Sequence, residues 1–323
     1  MPPALSRPRR RRLTMTEIPG GKGRKMGWIG WTLVALAALA VLGFFSWHWA
    51  VRSQAVMLLD RVDALSTASA VQTSDPISYG PAAEQILLVA RPAGGGQKSR
   101  PVILFIHGGS WSMGRAQDYA FVARNLAAQG YVAVSAGYRL VPGGEYPAML
   151  EDGAAATRWI HDHIADYGGD PSRIFLMGHS AGAYNAVMLA LDRRWLDARD
   201  VPQGAIAGAI GLAGPYDFLP LDSEGTRDAF GDASDLDATQ PINFVRADAP
   251  PLLLLTGDDD TTVRPRNSVA LERAMIRVGG TAELRQFAGI NHAGIIMAMS
   301  RPFAGDGAVK AAVHEFLAQS AHH

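Results

Sequence analysis

The stretch "RIFLMGHSAGAYNAVMLALDRR", residues 173–194, decides the fold. An apolar run enters a glycine-flanked turn, and a helical pattern leaves it. "RIFLMG" has the length and composition of a buried strand, and "AGAYNAVMLALDRR" reads as a helix. Ser180 stands at the turn between them, in a G-x-S-x-G frame. Gly178 and Gly182 flank it where Cβ atoms would obstruct the close approach of strand and helix. The helix that follows brings its positive end toward Ser180 and favours developing negative charge there. In a chain of 323 residues with 35 glycines, such a frame carries little weight alone. Its weight comes from strand, turn and helix in that order.

The same alternation extends in both directions. "QILLVA", "PVILFIH", "YVAVSAGY", "AIAGAIGLAG", "PLLLLTG" and "AELRQFA" read as strands. "DYAFVARNLAAQ", "AMLEDGAAATRWIHDHIADY", "NSVALERAMIRVG" and "DGAVKAAVHEFLAQ" read as helices between and after them. "GGDPSR", 168–173, reads as a turn cluster. Continuous apolar strands separated by helices imply an α/β class. The sheet is mostly parallel, with helices on both faces and ligands at the carboxyl ends of the strands.

Three further stretches fall at that edge. "FIHGGSW", 105–111, follows a strand, and Gly108 and Gly109 let the backbone turn its N–H groups toward a developing oxyanion. The amide of Ala181, next to Ser180, completes that hole. His107 is expected to brace this loop, and His179 to point away from Ser180. "LLLLTGDDDTTV" runs a strand into Asp258, Asp259 and Asp260, and "FAGINHAG" carries a strand end into a loop with His292. The order Ser, acid, His suits a nucleophile, an orienting carboxylate and a general base. Asp260 lies farthest along its loop and best reaches back to His292; Asp217 in "GPYDF" is a rival. The other aspartates read as an N-cap or a solvated turn. His161 and His163 are two apart on a helix and share no face, so they form no zinc pair. No metal or cofactor is expected.

Composition bounds the rest. The chain is 48% hydrophobic and 19% charged, which suits a large core. It has no cysteine, which excludes disulfides and thiolate chemistry. The zero net charge divides unevenly: residues 1–27 hold eight Lys/Arg and one Glu, so the head is +7 and the remainder −7. A mildly acidic body gives no footprint for nucleic acid. Residues 28–51, "WIGWTLVALAALAVLGFFSWHWAV", carry no formal charge. As a helix they would span about 36 Å, enough to cross a bilayer core. Tryptophans near both ends suit an aromatic belt, and the segment exceeds the apolar region of a cleaved signal. The expected organisation is a basic cytoplasmic head (1–27), a transmembrane anchor (28–51) and a linker (52–75). A catalytic domain (76–323) follows, with 215–249 as lid or pocket wall. The positive-inside rule places that domain outside the cytoplasm, in the periplasm of a bacterium.

On "HGGSW", "YRLVPGGEYPAMLED", "DPSRIFLMGHSAG", "GDDDTTV" and "GINH", the chain resembles the α/β-hydrolase superfamily. The similarity is to its serine carboxylesterase branch, hormone-sensitive-lipase-like and feruloyl-esterase-like, over roughly residues 76–320. The resemblance implies an α/β-hydrolase fold, with Ser180 as nucleophile, Asp260 as acid and His292 as base. It implies an oxyanion hole from Gly108, Gly109 and Ala181, and a small-molecule ester as substrate, with small or medium acyl groups. The lipase-like branch has a third glycine where this chain has Ser110. "HGG-x-W" also occurs in arylformamidases, so amide substrates stay open. A non-catalytic binding or adhesion protein on the same fold is the alternative from another class.

Overall fold

Strands of this chain alternate apolar side chains to two faces, and both faces are covered. Along "PVILFI", Val102, Leu104 and Ile106 enter one core, while Ile103 and Phe105 enter the other. Ile174 and Leu176 oppose Phe175 and Met177 in the same way, and Leu252 and Leu254 oppose Leu253 and Leu255. A period of two with burial on both sides is the mark of a central parallel strand. The computed structural model describes residues 60–61, 63–64, 70–94 and 99–319. The basic head (1–27) and the membrane helix expected over 28–51 lie outside the described residues. Among the described residues no helix is long and apolar enough to cross a membrane.

The strands are β1 (Val71–Thr73), β2 (Ile77–Ser78), β3 (Ile86–Pro92), β4 (Arg100–Ile106) and β5 (Val132–Ala136), then β6 (Gly169–His179), β7 (Ile206–Leu212), β8 (Leu252–Gly257) and β9 (Ala282–Phe287). They form one sheet in the order β1-β3-β5-β4-β6-β7-β8-β9, with β2 on β3. β3 pairs antiparallel with β1, β2 and β5. From β5 to β9 every pairing is parallel.

Helices α1 (Ala120–Ala128), α2 (Ala148–His163), α3 (Ala181–Leu191), α4 (Glu224–Phe230), α5 (Arg266–Arg277), α6 (His292–Met297) and α7 (Ala308–Gln319) cover it. Phe121 and Leu126 of α1, Ile295 of α6 and Val313 and Phe316 of α7 pack on one face. Leu150 and Ile160 of α2, Val187 of α3 and Leu271 of α5 pack on the other. Every residue of α3 is buried, as a helix apolar on all sides must be.

Two expectations are corrected. Parts of the stretch read as a linker (52–75) are tied to the domain. Val71–Thr73 extends the sheet on β3. Arg124 of α1 donates to Asp60, and the buried Asp63 accepts from Asn125 and from the amide of Arg301. The turn cluster "GGDPSR" ends the preceding helical segment at Gly168, with φ of 82°, but Gly169 already pairs with Arg100 as the start of β6.

Candidate active site

The turn around Ser180 forms as the glycines require. A Cβ on Gly178 would lie 2.1 Å from the Gly182 carbonyl oxygen, and one on Gly182 would lie 2.1 Å from that of Ile106. Neither position accepts a side chain. Between them Ser180 holds φ 55° and ψ −121°, an unfavourable conformation for a residue with a Cβ. Its amide donates to Leu212 O at 2.8 Å, anchoring the turn to β7.

The three residues expected from three separate stretches meet here. Ser180 Oγ donates to His292 Nε2 at 2.9 Å. His292 Nδ1–H donates to Asp260 Oδ2 at 2.7 Å. The other carboxylate oxygen, Oδ1, accepts from the amides of Thr262 at 2.9 Å and Val263 at 2.8 Å. The Asp260 side chain is fully buried. It therefore presents one oxygen to the imidazole and has the other fixed by its own loop.

The rival acids are placed elsewhere. Asp217 and Asp259 are exposed and make no hydrogen bond to His292. Asp258 is neither an N-cap nor a merely solvated turn: its Oδ1 accepts from the Gly289 amide at 2.7 Å and pins the loop that leads to His292. His292 itself is not in a loop. It opens α6, whose N-cap is Asn291, with the Asn291 side chain accepting from Gly294 N at 2.9 Å.

The loop that carries Gly108 and Gly109 lies against Ser180. A Cβ on Gly108 would meet Ser180 Cβ at 3.1 Å. Gly109 has φ 125°, and its carbonyl accepts from Ser112 and Met113. Ala181 is the first residue of α3. Among the described residues, none of the backbone hydrogen bonds outside the regular elements takes the N–H of Gly108, Gly109 or Ala181. Ser110, in place of a third glycine, adopts φ 51°, so its backbone takes the glycine-like course despite its side chain.

Two buried histidines brace this edge. His107 Nδ1–H donates to Gly108 O at 2.8 Å, and its ring stacks on Tyr138 at 4.6 Å. Burial pushes its pKa down to about 4. His179 makes no hydrogen bond to Ser180. Its Nε2–H donates to the carbonyl of His292 at 3.1 Å. Burial, then the nearby His292, push its pKa down to about 3.

A cavity of about 330 Å³ opens beside Ser180. Trp111 and Phe218 line it, and Phe230 of α4 packs edge-on against Trp111 at 4.8 Å. The segment 215–249 is thus bound into the core as a wall: Tyr216, Phe218, Phe230 and Gln240 are buried. Asn267 ties it to α5, its Oδ1 accepting from the amides of Tyr216 and Asp217 at 3.0 Å. Among the described residues no group of three or more His, Cys, Asp or Glu side chains is arranged to hold a metal ion. His161 pairs with its neighbour Asp162 instead.

The chain is 31% identical over 264 residues to esterase LipQ of Mycobacterium tuberculosis, covering 76% of this chain and 62% of LipQ. It is 45% identical over 95 residues to carboxylesterase NlhH of the same organism, 29% of this chain and 30% of NlhH. The chain therefore spans less than two thirds of the length of these curated relatives. Among solved structures, an inhibited esterase B from Lactobacillus rhamnosis superposes with a TM-score of 0.71 at 21% identity, covering 88% of this chain and 97% of that one. Esterase 2 of Thermogutta terrifontis gives 0.63 at 23% identity, with 78% and 93% covered. These superpositions establish the α/β-hydrolase fold. The family profile BD-FAE matches residues 87–275, more than half of the sequence. The chain belongs to the BD-FAE family.

Proposed function

We propose that this protein is a serine esterase that cleaves carboxylic esters of small or medium acyl groups through an acyl-enzyme. The observation that carries the reading is the chain of hydrogen bonds from Ser180 through His292 to Asp260, at 2.9 and 2.7 Å. Ser180 Oγ attacks the acyl carbonyl as His292 Nε2 takes its proton. The Asp260 carboxylate stabilises the imidazolium that forms. The free amides of Gly108, Gly109 and Ala181 receive the oxyanion. His292 then returns the proton to the leaving alcohol, and water activated by the same base releases the acid. The cavity of about 330 Å³ supports a substrate of modest size. The similarity to LipQ, an esterase, and NlhH, a carboxylesterase, supports the reaction class.

The test uses the folded full-length chain. A fluorophosphonate probe should label Ser180 and block turnover of short-chain aryl esters. Ser180→Ala should lose both, with kcat/KM down by about 10³-fold or more. Absence of labelling in folded protein overturns the reading and leaves a binding protein on the same fold. N-formyl aromatic amines in the panel distinguish an amidase.

We further propose that residues 28–51 anchor the protein in a membrane, with the catalytic domain outside the cytoplasm. The uncharged run of 24 residues behind a +7 head supports this. After an alkaline carbonate wash the intact chain should stay in the membrane pellet; release of intact chain would refute the anchor.

A further inference from the structure

The cavity beside Ser180 carries unmatched positive charge. Arg264 and Arg266 both line it, just beyond Asp260 on the loop that leads into α5. Both are exposed. Among the described residues neither guanidinium has a hydrogen-bond or ion-pair partner; Arg264 takes part only through its carbonyl, which accepts from Asn267. Arg273 and Arg277 are likewise without a carboxylate among the described residues, but they lie outside the cavity; what distinguishes Arg264 and Arg266 is their place in its lining. Other arginines of the domain are paired: Arg115, Arg139, Arg158, Arg194 and Arg285 all find carboxylates. The body outside the basic head carries a net −7, so carboxylates are not scarce. One acid lines the cavity, the exposed Asp222, and it pairs with neither arginine. Two guanidiniums against one carboxylate leave the lining net positive.

The proposed ester chemistry has no use for these charges at the reacting carbonyl. The backbone amides serve the oxyanion, and Asp260 serves the imidazolium. A guanidinium presents a fork of N–H donors that matches a carboxylate, and it is weakly hydrated, so it gives up water at little cost. We propose that the cavity selects esters carrying a negative charge away from the scissile carbonyl, with Arg264 and Arg266 as the residues that recognise it. A carboxylate is the simplest such group. The inference rests on the esterase reading above and names the substrate class of that site.

The experiment compares matched esters on the full-length chain, each rate normalised to uncatalysed hydrolysis. One pair carries the charge on the acyl side: 4-nitrophenyl hemiglutarate against 4-nitrophenyl pentanoate. The other carries it on the alcohol: 4-carboxyphenyl butyrate against phenyl butyrate. In at least one pair the anionic member should exceed the neutral one in kcat/KM by about fivefold or more at low salt. High salt should shrink that ratio, because the arginines are exposed. The double variant Arg264→Gln, Arg266→Gln should bring the ratio to about one, and Arg264→Glu should push it lower. A neutral preference in both pairs, or a ratio that survives these substitutions, overturns the proposal. If neutral esters are cleaved in a Ser180-dependent way while the ratio stays at or below one, only the charge selection fails. If no ester is cleaved, the esterase reading fails and takes this inference with it.

Discussion

The ring of His179, the neighbour of Ser180 in sequence, ends at the carbonyl of His292, 3.1 Å away. Its charge state follows from its surroundings. It is buried, with a pKa pushed down to about 3, so it is neutral near pH 7. A neutral ring facing a carbonyl must carry its proton on Nε2, which leaves Nδ1 as a bare acceptor; among the described residues Nδ1 has no partner. His179 therefore holds the backbone of His292, the proposed base, rather than any reacting atom, and on that reading it is a positioning residue. We predict that His179→Phe, which keeps a ring in that space but loses the donor, lowers kcat about tenfold with KM nearly unchanged. Steady-state kinetics decide this, and an unchanged kcat would remove His179 from the machinery. Ser180, Asp260 and His292, which the structure brings together, could be picked out from sequence as candidates because each sits in a local pattern of strand end and loop. His179 could not, because its partner is 113 residues away and nothing near it announces a contact.

At the scale of elements, short segments escape a sequence reading that long ones permit. "PVILFI" and "PLLLLTG" are apolar enough to fix both identity and burial. Val71–Thr73 is three residues with one buried side chain, and only its pairing with β3 makes it a strand. Helix α6 is six residues long and begins at the expected base itself. Its signal was present: Asn291 accepts from Gly294 N, the N-cap arrangement of a helix start. The cap matters because the first helical residue carries the imidazole. Asn291→Ala should cost about 1 kcal/mol of stability through the lost cap. It should also lower kcat severalfold by loosening the geometry around His292. Urea unfolding of the variant and its kinetics check the two effects separately. Full activity at reduced stability would show that α6 keeps His292 in place without its cap.

For the whole molecule, the two buried histidines link stability to pH. His107 and His179 are 1% and 5% exposed. In the folded protein they stay neutral down to about pH 4 and about pH 3. In the unfolded chain each takes up a proton near its ordinary value of about 6.5. Below that pH the unfolded state binds more protons than the folded state, so stability falls as pH falls. The loss approaches about 1.4 kcal/mol per pH unit for each histidine. It begins at the unfolded value near 6.5 and ends when the folded rings themselves protonate. At pH 5 the two together should have cost roughly 4 kcal/mol, a large part of the ~5–15 kcal/mol of a typical domain. Carboxylates contribute mainly at lower pH, so the window between about 6.5 and 5 belongs to histidine. Urea unfolding of the full-length chain at pH 7 and pH 5 should show this drop. His107→Phe keeps the stacking on Tyr138 and should remove roughly half of the pH dependence. The same stability at both pH values would mean that the buried rings take up protons without unfolding the domain.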